Sequence, residues 1–537
     1  MKPALRAALI LVLGALVVGV GRWWRAEERA PRERELRIAY TDYLSPLDPR
    51  ALRAVPSLTQ RMTDAVWDEL ITFDQRSLTV ASHAAESWES TDGGQRFLFR
   101  LSPTGRWSNG DPVTAEDFVR TVRWLLVSGS DHPLIRLLGD SNRSGAEPEG
   151  RDAIAVNALD PLTLEVRVKS PPPDFLPLLA SLRWIPLHAS TPAAFENGSW
   201  SRPGGLVSNG AYRLRHFGSE EILAELNPHH TSPPDGFERV RLMRTESPRL
   251  LPVLLAAGRI DFGDALNFMP AGMPSLPDSV TTEHENTASV SALQFNVSRP
   301  PLNDVRVRQA LSLALDRVAL AQRFGGGGAL PAYSFTVPGR SGEPEQRSVI
   351  EDLALARRLL AEAGYPDGNG FPVLRIPMAL GPDANPLPLF CADQWRARLG
   401  LRVYVPTLPR SEVTARAHHG DFDVMHLRWV ASPLDFSVLA LQFSGGLPKP
   451  FLAWPSEEAQ AGILAARRLQ GDALFRGMLA AERKLLNQMP ASPLVYYHRY
   501  TFRSARVEGW TRDIFGRHPF ENLRPVASAA NQEGMRP

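Results

Sequence analysis

The chain has 537 residues, of which 43% are hydrophobic and 22% are charged. This length exceeds what one hydrophobic core supports, so two or three domains are expected, and the ordinary globular composition excludes wholesale disorder. The first 35 residues hold seven basic and four acidic side chains, which leaves 53 basic and 54 acidic residues in the remainder. A nearly neutral body argues against a nucleic-acid partner, because nucleic-acid binding needs a concentrated basic face.

The N-terminus has the pattern of an export segment. A short basic stretch precedes fifteen uncharged residues, Ala7–Gly21, and Trp23 and Trp24 follow as candidate interfacial anchors. No cleavage site of small residues stands out, and no cysteine follows for lipidation. We predict a signal peptide or signal anchor over residues 1–30, and we favour an uncleaved anchor at residues 7–24, although a full span needs ~20 apolar residues.

Alternating and helical patterns then follow in chain order. The alternation in Glu35–Thr41 predicts a first strand, and the apolar spacing in Ser57–Phe73 predicts a helix. A turn at Asp92–Gly94 predicts a hairpin, and two alternating runs within Ala153–Lys169 predict another.

The most informative stretch is Arg96–Leu126. Alternating residues predict a half-buried strand, two turns follow, and Thr114 lies where a helix N-cap belongs, with Asp117 in the first helical turn. In the second half of the chain, Ser291–Arg317 predicts a strand followed by a helix. The pattern of Glu351–Gly364 predicts a further helix.

Sequence motifs for nucleophilic or metal-dependent catalysis are absent, and no cofactor is expected. The pair His418-His419 lies near Asp421 and Asp423. We predict a strand there, on which adjacent residues face opposite sides, and this argues against a shared metal site. The single cysteine, Cys391, is expected to be a small core residue.

The stretch Arg96–Leu126 resembles the hallmark segment of family 5 of the bacterial extracellular solute-binding proteins, which feed peptide and nickel ABC importers. The shared positions are Phe97, Phe99, Arg100, Trp107, Ser108, Asn109, Gly110, Pro112, Val113, Thr114, Ala115, Asp117 and Phe118. Ser291–Arg317 is a second strong match, and the resemblance extends over about residues 36–524.

The resemblance implies an α/β fold of two lobes, the type II periplasmic-binding-protein fold with an extra inserted subdomain. The expected boundaries are residues 36–66, 206–289 and 499–537 for lobe I, residues 67–205 for the inserted subdomain, and residues 290–498 for lobe II. Hinge closure on a solute is the expected motion.

The expected pocket segment departs from the family pattern. Oligopeptide binders carry R-x-G-W-x-x-D, whose aspartate pairs with the α-ammonium of the peptide. Here Trp429 is retained, Ser432 stands at the aspartate position and His426 at the arginine position, while Asp435 is a candidate substitute for the aspartate. Arg428, beside Trp429, favours an anionic group if it does not simply face solvent.

Three further residues are placed near the cleft by resemblance: Asn209, Asn296 and Tyr333. For each of them, a role as hydrogen-bonding scaffold is an equal alternative to ligand contact.

The resemblance implies a periplasmic receptor that captures a small solute, by default a peptide, and delivers it to ABC permease subunits in the inner membrane. A receptor for a nickel chelate, a cell-wall peptide or an oligosaccharide is one alternative. A membrane-anchored sensory or scaffold ectodomain is another. An extracytoplasmic enzyme is a third alternative, and the missing catalytic motifs weigh against it.

Overall fold

A computed structural model describes most of the chain: residues 34–40, 47–48, 58–73, 79–128, 132–140, 155–168, 171, 175–266, 276–325, 329–335, 347–380, 385–430, 457–466, 469, 471–510 and 520–526. Within these ranges no helix is both long enough and apolar enough to cross a membrane. The predicted anchor at residues 7–24 lies outside the described residues.

Strands dominate the first half of the chain. The elements are β1 (Glu35–Tyr40), α1 (Leu58–Val66), β2 (Ile71–Phe73), β3 (Val80–Ser82), β4 (Ala85–Thr91), β5 (Arg96–Leu101), α2 (Ala115–Val127), α3 (Pro133–Asp140), β6 (Ala155–Asp160), β7 (Thr163–Arg167), α4 (Phe175–Ser181), α5 (Thr191–Glu196), β8 (Tyr212–Phe217), β9 (Glu221–Leu226), β10 (Arg239–Arg244), α6 (Leu251–Ala256) and β11 (Phe262–Leu266). Both predicted hairpins form, as β4–β5 and β6–β7.

The second half has longer helices and two long strands. The elements are β12 (Val280–Phe295), α7 (Val305–Leu313), α8 (Arg317–Gly325), β13 (Leu330–Pro331), α9 (Leu353–Glu362), β14 (Leu374–Arg375), β15 (Met378–Ala379), α10 (Leu387–Leu399), β16 (Val403–Tyr404), β17 (Thr407–Leu408), α11 (Arg410–His419), β18 (Val424–Val430), α12 (Glu457–Ala466), α13 (Gly471–Asn487), β19 (Ala491–Ser504), β20 (Val507–Glu508) and β21 (Arg524–Pro525).

A nine-stranded sheet runs through the molecule in the order β18-β12-β19-β11-β1-β10-β9-β8, with β13 also paired to β19. Strand β1 is parallel to β10 and β11, whereas β19 is antiparallel to β11 and β12. A separate four-stranded antiparallel sheet has the order β4-β5-β7-β6. The mixture of parallel and antiparallel strands with covering helices makes this an α/β fold.

Apolar side chains gather into two large cores. The first contains residues from β1, α1, the four-stranded sheet and β8–β11, and it also takes in Val507, Phe520 and Leu523. The second extends from Val290 to Tyr496 and includes α7, α9 and α10. The buried Cys391 belongs to the second core, as expected. Two separate cores are what a two-lobed protein of this length needs.

One carboxylate organises the strand-turn-helix segment at residues 96–127. Asp117 accepts hydrogen bonds from Trp107 Nε1 at 3.1 Å and from the Thr114 backbone nitrogen at 2.8 Å, and it pairs with Arg120. Thr114 and Asp117 together form a capping box at the start of α2. The predicted N-cap is therefore confirmed.

The helix predicted over Ser57–Phe73 is wrong in its second half. Helix α1 ends at Val66, and Ile71–Phe73 forms strand β2, which pairs with β3. The backbone nitrogen of Gly210 donates to the carbonyl of Val66 at 2.9 Å. Tertiary contacts thus take the backbone groups that a longer helix would use, although the apolar spacing continues past the helix end.

The strand predicted around His418-His419 is also wrong. Both histidines lie at the end of helix α11, and His419 Nδ1 is 2.7 Å from the carbonyl of Ala415, one turn earlier. Among the described residues, no group of three or more His, Cys, Asp or Glu side chains is placed to hold a metal ion.

Candidate ligand-binding site

Strands β12 and β19 pass from one core to the other side by side. Up to Asn286, β12 pairs with the part of β19 that also pairs with β11 of the first core. From Val290 onwards it pairs with Tyr496 on one side and with β18 of the second core on the other. The register shifts between Asn286 and Val290. We call residues 286–290 and 496–498 the crossover.

Beside the crossover, on the second-core side, lies a set of polar side chains from four segments of the chain. We call it the crossover cluster, and it consists of Ser289, Ser291, Asn385, His426, Arg428 and Tyr497. Ser289 and Ser291 alternate along β12, and His426 and Arg428 alternate along the neighbouring strand β18. Because side chains two residues apart share a face of a strand, the two strands present these groups together.

His426 is held as a neutral imidazole. Its Nε2 lies 2.6 Å from Ser291 Oγ, within hydrogen-bonding distance. Burial lowers the pKa of His426 to about 4 from an ordinary value of 6.5, since the charged form is disfavoured away from water. His426 therefore contributes hydrogen-bonding capacity to the cluster without a charge at neutral pH.

Arg428 supplies the positive charge of the cluster. Its guanidinium carbon lies 4.8 Å from the centre of the Tyr497 ring, and its Nη2 donates to Ser289 Oγ at 3.3 Å. The residue is exposed. A guanidinium stacked on an aromatic face keeps its N–H donors around the edge of the plane, where they can bind a carboxylate with two parallel hydrogen bonds.

The ring of Tyr497 packs against the guanidinium of Arg428. Its hydroxyl accepts a hydrogen bond from Asn385 Nδ2 at 3.0 Å, and its ring packs edge-on against Phe324 with centroids 5.5 Å apart. Burial raises the pKa of Tyr497, and the charge of Arg428 opposes part of that shift. The ring is thus fixed by partners on two sides and remains protonated at neutral pH.

On the first-core side of the crossover lies a second charged group, which we call the Asp264 cluster: Arg61, Asp264 and Arg499. Asp264 Oδ2 is 3.0 Å from Arg61 Nη2 and 3.5 Å from Arg499 Nε. The Arg61 guanidinium also lies over the Phe262 ring, 5.5 Å from its centre. Two arginines therefore share this aspartate.

Among the predicted pocket residues, His426, Arg428 and Trp429 lie together on β18, with Trp429 paired to Val290 in the backbone register. Ser432 and Asp435 lie outside the described residues, so their expected roles stay predictions.

Asn209 links the segment before β8 to the segment after α1 through hydrogen bonds to the backbone of Asp68. Its Nδ2 donates to the Asp68 carbonyl at 3.1 Å, and its Oδ1 accepts from the Asp68 backbone nitrogen at 3.2 Å. The Asp68 carboxylate lies between two imidazoles, 3.1 Å from His230 Nε2 and 3.6 Å from His83 Nε2. Both ends of the Asn209 amide are therefore engaged within the protein.

Asn296 and Tyr333 are likewise engaged away from the crossover. Asn296 Nδ2 donates to the carbonyls of Gly420 and Phe422, each at 3.0 Å. The Tyr333 hydroxyl donates to Glu351 Oε1 at 3.3 Å, and its ring is buried in the second core. These contacts favour the scaffold alternative for Asn209, Asn296 and Tyr333, and ligand contact by them stays a prediction.

Four residues of the crossover cluster were not predicted from the sequence: Ser289, Ser291, Asn385 and Tyr497. The two serines carried a usable signal, because they stand at alternate positions just before Leu293 and Phe295, where the face of the strand becomes apolar. Asn385 and Tyr497 are 112 residues apart, and their contact follows from the tertiary fold alone.

Comparison with known proteins agrees with this architecture. Residues 79–449 match the family described as bacterial extracellular solute-binding proteins, family 5 middle. Three curated relatives cover most of the chain. A probable deoxycholate-binding periplasmic protein of Escherichia coli is 29% identical over 77% of this chain and 79% of its own length. The periplasmic oligopeptide-binding protein of Salmonella typhimurium is 28% identical over 89% of both chains. The periplasmic murein peptide-binding protein of Escherichia coli is 27% identical over 90% of this chain and 89% of its own.

Solved structures share the fold. A periplasmic oligopeptide-binding protein from Borrelia burgdorferi superposes with a TM-score of 0.74 at 21% identity, covering 92% of this chain and 100% of that one. The murein tripeptide binding protein of Escherichia coli gives a TM-score of 0.73 at 23% identity, covering 92% and 99%. The expected two-lobed α/β fold is confirmed. The chain belongs to family 5 of the bacterial extracellular solute-binding proteins.

Proposed function

We propose that the chain is a periplasmic receptor that captures a short peptide at the crossover between its lobes and delivers it to an ABC permease in the inner membrane. The observation that carries this proposal is the crossover itself, where two adjacent strands join the two cores and the polar and aromatic side chains of the crossover cluster lie beside them. Ligand clefts between such lobes are closed by hinge motion. The oligopeptide-binding and murein peptide-binding relatives support a peptide as the solute.

We further propose that residues 7–24 hold the receptor at the inner membrane. The absence of a stand-out cleavage site in the sequence supports this. Fractionation of cells that produce the chain with a C-terminal tag tests it. A membrane-bound protein of full mass is the expected result, and a shorter protein released with the periplasmic fraction contradicts the anchor.

A second candidate solute is an amphipathic organic acid of the bile-acid type. Two observations favour it: the 29% identical relative is named as a probable deoxycholate-binding protein, and Ser432 replaces the aspartate that pairs with a peptide ammonium in oligopeptide binders. A steroid acid carries no ammonium group, so its binding does not need that aspartate. An aromatic ring beside a cation, as in the crossover cluster, suits an apolar body with one acidic group.

Native mass spectrometry of the purified full chain separates these candidates. The chain is incubated with an unmodified tripeptide library and, separately, with deoxycholate. Masses of tripeptide complexes are expected for the peptide receptor, and a single deoxycholate complex is expected for the second candidate. A chain that binds neither set contradicts solute capture of both kinds and favours a sensory or scaffold ectodomain.

A further inference from the structure

A serine, a histidine and an aspartate form a chain of hydrogen bonds outside the crossover cluster. His188 Nε2 lies 3.0 Å from Asp111 Oδ2, and His188 Nδ1 lies 2.8 Å from Ser190 Oγ. We call these three residues the Ser190 triad. They come from the turn between β5 and α2 and from the segment before α5, within the predicted inserted subdomain. Asp111 and His188 are 77 residues apart, so a local sequence motif does not reveal them as neighbours.

The backbone fixes the tautomer of His188. The Ser190 backbone nitrogen donates to His188 Nδ1 at 3.3 Å, and a backbone N–H group can only donate. Nδ1 is therefore the unprotonated nitrogen of the neutral ring, and the proton lies on Nε2, which donates it to Asp111. In this form His188 presents its basic lone pair to the hydroxyl of Ser190.

Asp111 is in turn held in place. Asn109 Nδ2 donates to Asp111 Oδ2 at 2.7 Å, and the Asp111 backbone nitrogen donates to Asn109 Oδ1 at 3.1 Å. The hydrogen bonds from His188 and Asn109 lower the pKa of Asp111 below its ordinary value of 3.8, so the side chain is a carboxylate at neutral pH. The Trp107 ring also packs edge-on against His188, with centroids 5.3 Å apart. A carboxylate in this position orients the imidazole and stabilises the imidazolium that forms when the ring accepts a proton.

The hydroxyl of Ser190 is not used to cap a helix. Ser190 is the N-cap residue of α5, where a serine side chain ordinarily accepts a hydrogen bond from the second or third residue of the helix. The second residue is Pro192, which has no N–H group, and the Ser190 side chain makes no capping hydrogen bond. The hydroxyl bonds to His188 instead, and the residue is exposed, so a dissolved reactant reaches it directly.

We propose that Ser190 is a nucleophile and that the Ser190 triad hydrolyses small carboxylic esters. Ser190 Oγ bonds to the acyl carbon while its proton passes to His188 Nδ1. The bond from the acyl carbon to the alcohol oxygen breaks, and the leaving alcohol takes that proton. Water then gives a proton to His188 and attacks the acyl-serine, which releases the acid and restores Ser190. A nucleophile within reach of a base that a third group orients is the arrangement this chemistry requires. The activity is separate from solute capture at the crossover.

The first test is covalent labelling of the purified full chain with a fluorophosphonate. The serine oxygen replaces fluoride on the phosphorus atom, and mass spectrometry of a digest locates the modified residues. Ser219, an exposed serine in the turn between β8 and β9, is the control within the same sample. Because general-base assistance contributes about 10²–10⁴-fold, we expect Ser190 to react at least about 100-fold faster than Ser219.

The second test compares variants in labelling and in hydrolysis of p-nitrophenyl acetate. Ser190→Ala should abolish the ester hydrolysis that the wild type shows above the buffer. His188→Gln removes the base, so labelling of Ser190 should fall to about the rate of Ser219. Asp111→Asn loses the charge that orients the ring, and labelling should fall at least about tenfold. His419→Gln, at an exposed histidine of α11, is the control and should react like the wild type.

Each outcome decides the question. If Ser190 is labelled no faster than Ser219, or Ser190→Ala hydrolyses the ester like the wild type, the proposal is overturned while solute capture stands. A triad that only ties the two segments together would lower the thermal midpoints of His188→Gln and Asp111→Asn and leave their labelling unchanged, which also overturns the proposal. If these two variants do not fold, the comparison of Ser190 with Ser219 and the Ser190→Ala variant decide.

Discussion

A single carboxylate, that of Asp117, holds together three parts of the family's hallmark segment. It accepts from the buried indole of Trp107, closes the N-terminus of α2 through Thr114, and neutralises Arg120. Each of these partners would otherwise be left with an unsatisfied or unpaired group. The contacts of Asp117 therefore give the motif a structural role at the residue scale.

Replacing Asp117 by asparagine tests this role. The change removes the charge and at least one of the hydrogen bonds, so we expect a loss of about 3–5 kcal/mol in the free energy of unfolding. Urea denaturation measures it. Glu116→Gln is the control, because Glu116 and its partner Arg123 are both exposed, and this change should cost less than about 1 kcal/mol. Equal losses in the two variants would contradict the role of Asp117.

His426 predicts a pH dependence of stability. Its folded pKa of about 4 lies below the ordinary value of 6.5, so between these values the unfolded chain binds a proton that the folded chain does not. Stability from this group is therefore full above about pH 6.5 and falls as the pH drops towards 4, by at most about 3 kcal/mol.

The measurement is the free energy of unfolding from pH 7 to pH 4, compared between the wild type and His426→Asn. The variant should show a shallower fall over this window. His419→Asn, at an exposed histidine on α11, should keep the slope of the wild type. A wild-type slope in His426→Asn would refute the assignment.

At the scale of elements, the end of α1 is fixed by a close backbone approach. A Cβ atom added to Gly210 would lie 2.5 Å from the Val66 carbonyl carbon and 2.6 Å from the Trp67 nitrogen. No side chain fits there, and only glycine lets the segment before β8 bond to the helix end. This contact terminates α1 before Asp68, whose carboxylate then meets His83 and His230.

Gly210→Ala is therefore expected to destabilise the protein by about 2–4 kcal/mol, since either the helix end or the β8 segment has to move. Thermal unfolding of the variant should show a lower midpoint. Gly105→Ala provides the comparison, because a Cβ there would approach no atom closer than 3.5 Å, and its midpoint should stay near that of the wild type. If the two substitutions have similar effects, the close approach does not limit α1.

Local patterns predicted the elements that local forces determine. Strand β5, the capped helix α2 and the two hairpins follow from alternation, turn residues and cap chemistry close together in the chain. The end of α1 could not be predicted from local patterns, because Gly210, which contacts it, is 144 residues from Val66 in the sequence. The crossover cluster shows the same division. His426 and Arg428 could be predicted as site residues from the sequence pattern of one strand. Ser291 could not, because it is 135 residues away from His426 in the sequence and contacts it only in the folded protein.

At the scale of the whole molecule, the two cores are joined by strands β12 and β19, whose register shifts at the crossover. We expect a bound solute to draw the lobes together and to lower the radius of gyration measured by small-angle X-ray scattering. Whichever of the tripeptides or deoxycholate does not bind in native mass spectrometry serves as the control. An unchanged radius with a bound ligand would contradict hinge closure.

The position of β19 in the sheet also bears on how the chain folds. This strand lies between β11 and β12, and it joins residues near 500 to residues near 262 and 280. The first core additionally needs Phe520 and Leu523. During synthesis, the sheet that contains β1 therefore cannot be completed until β19, more than 450 residues further along the chain, has been made. Contacts so distant in sequence form slowly. The sheet of the first core therefore stays incomplete until almost the whole chain has been made.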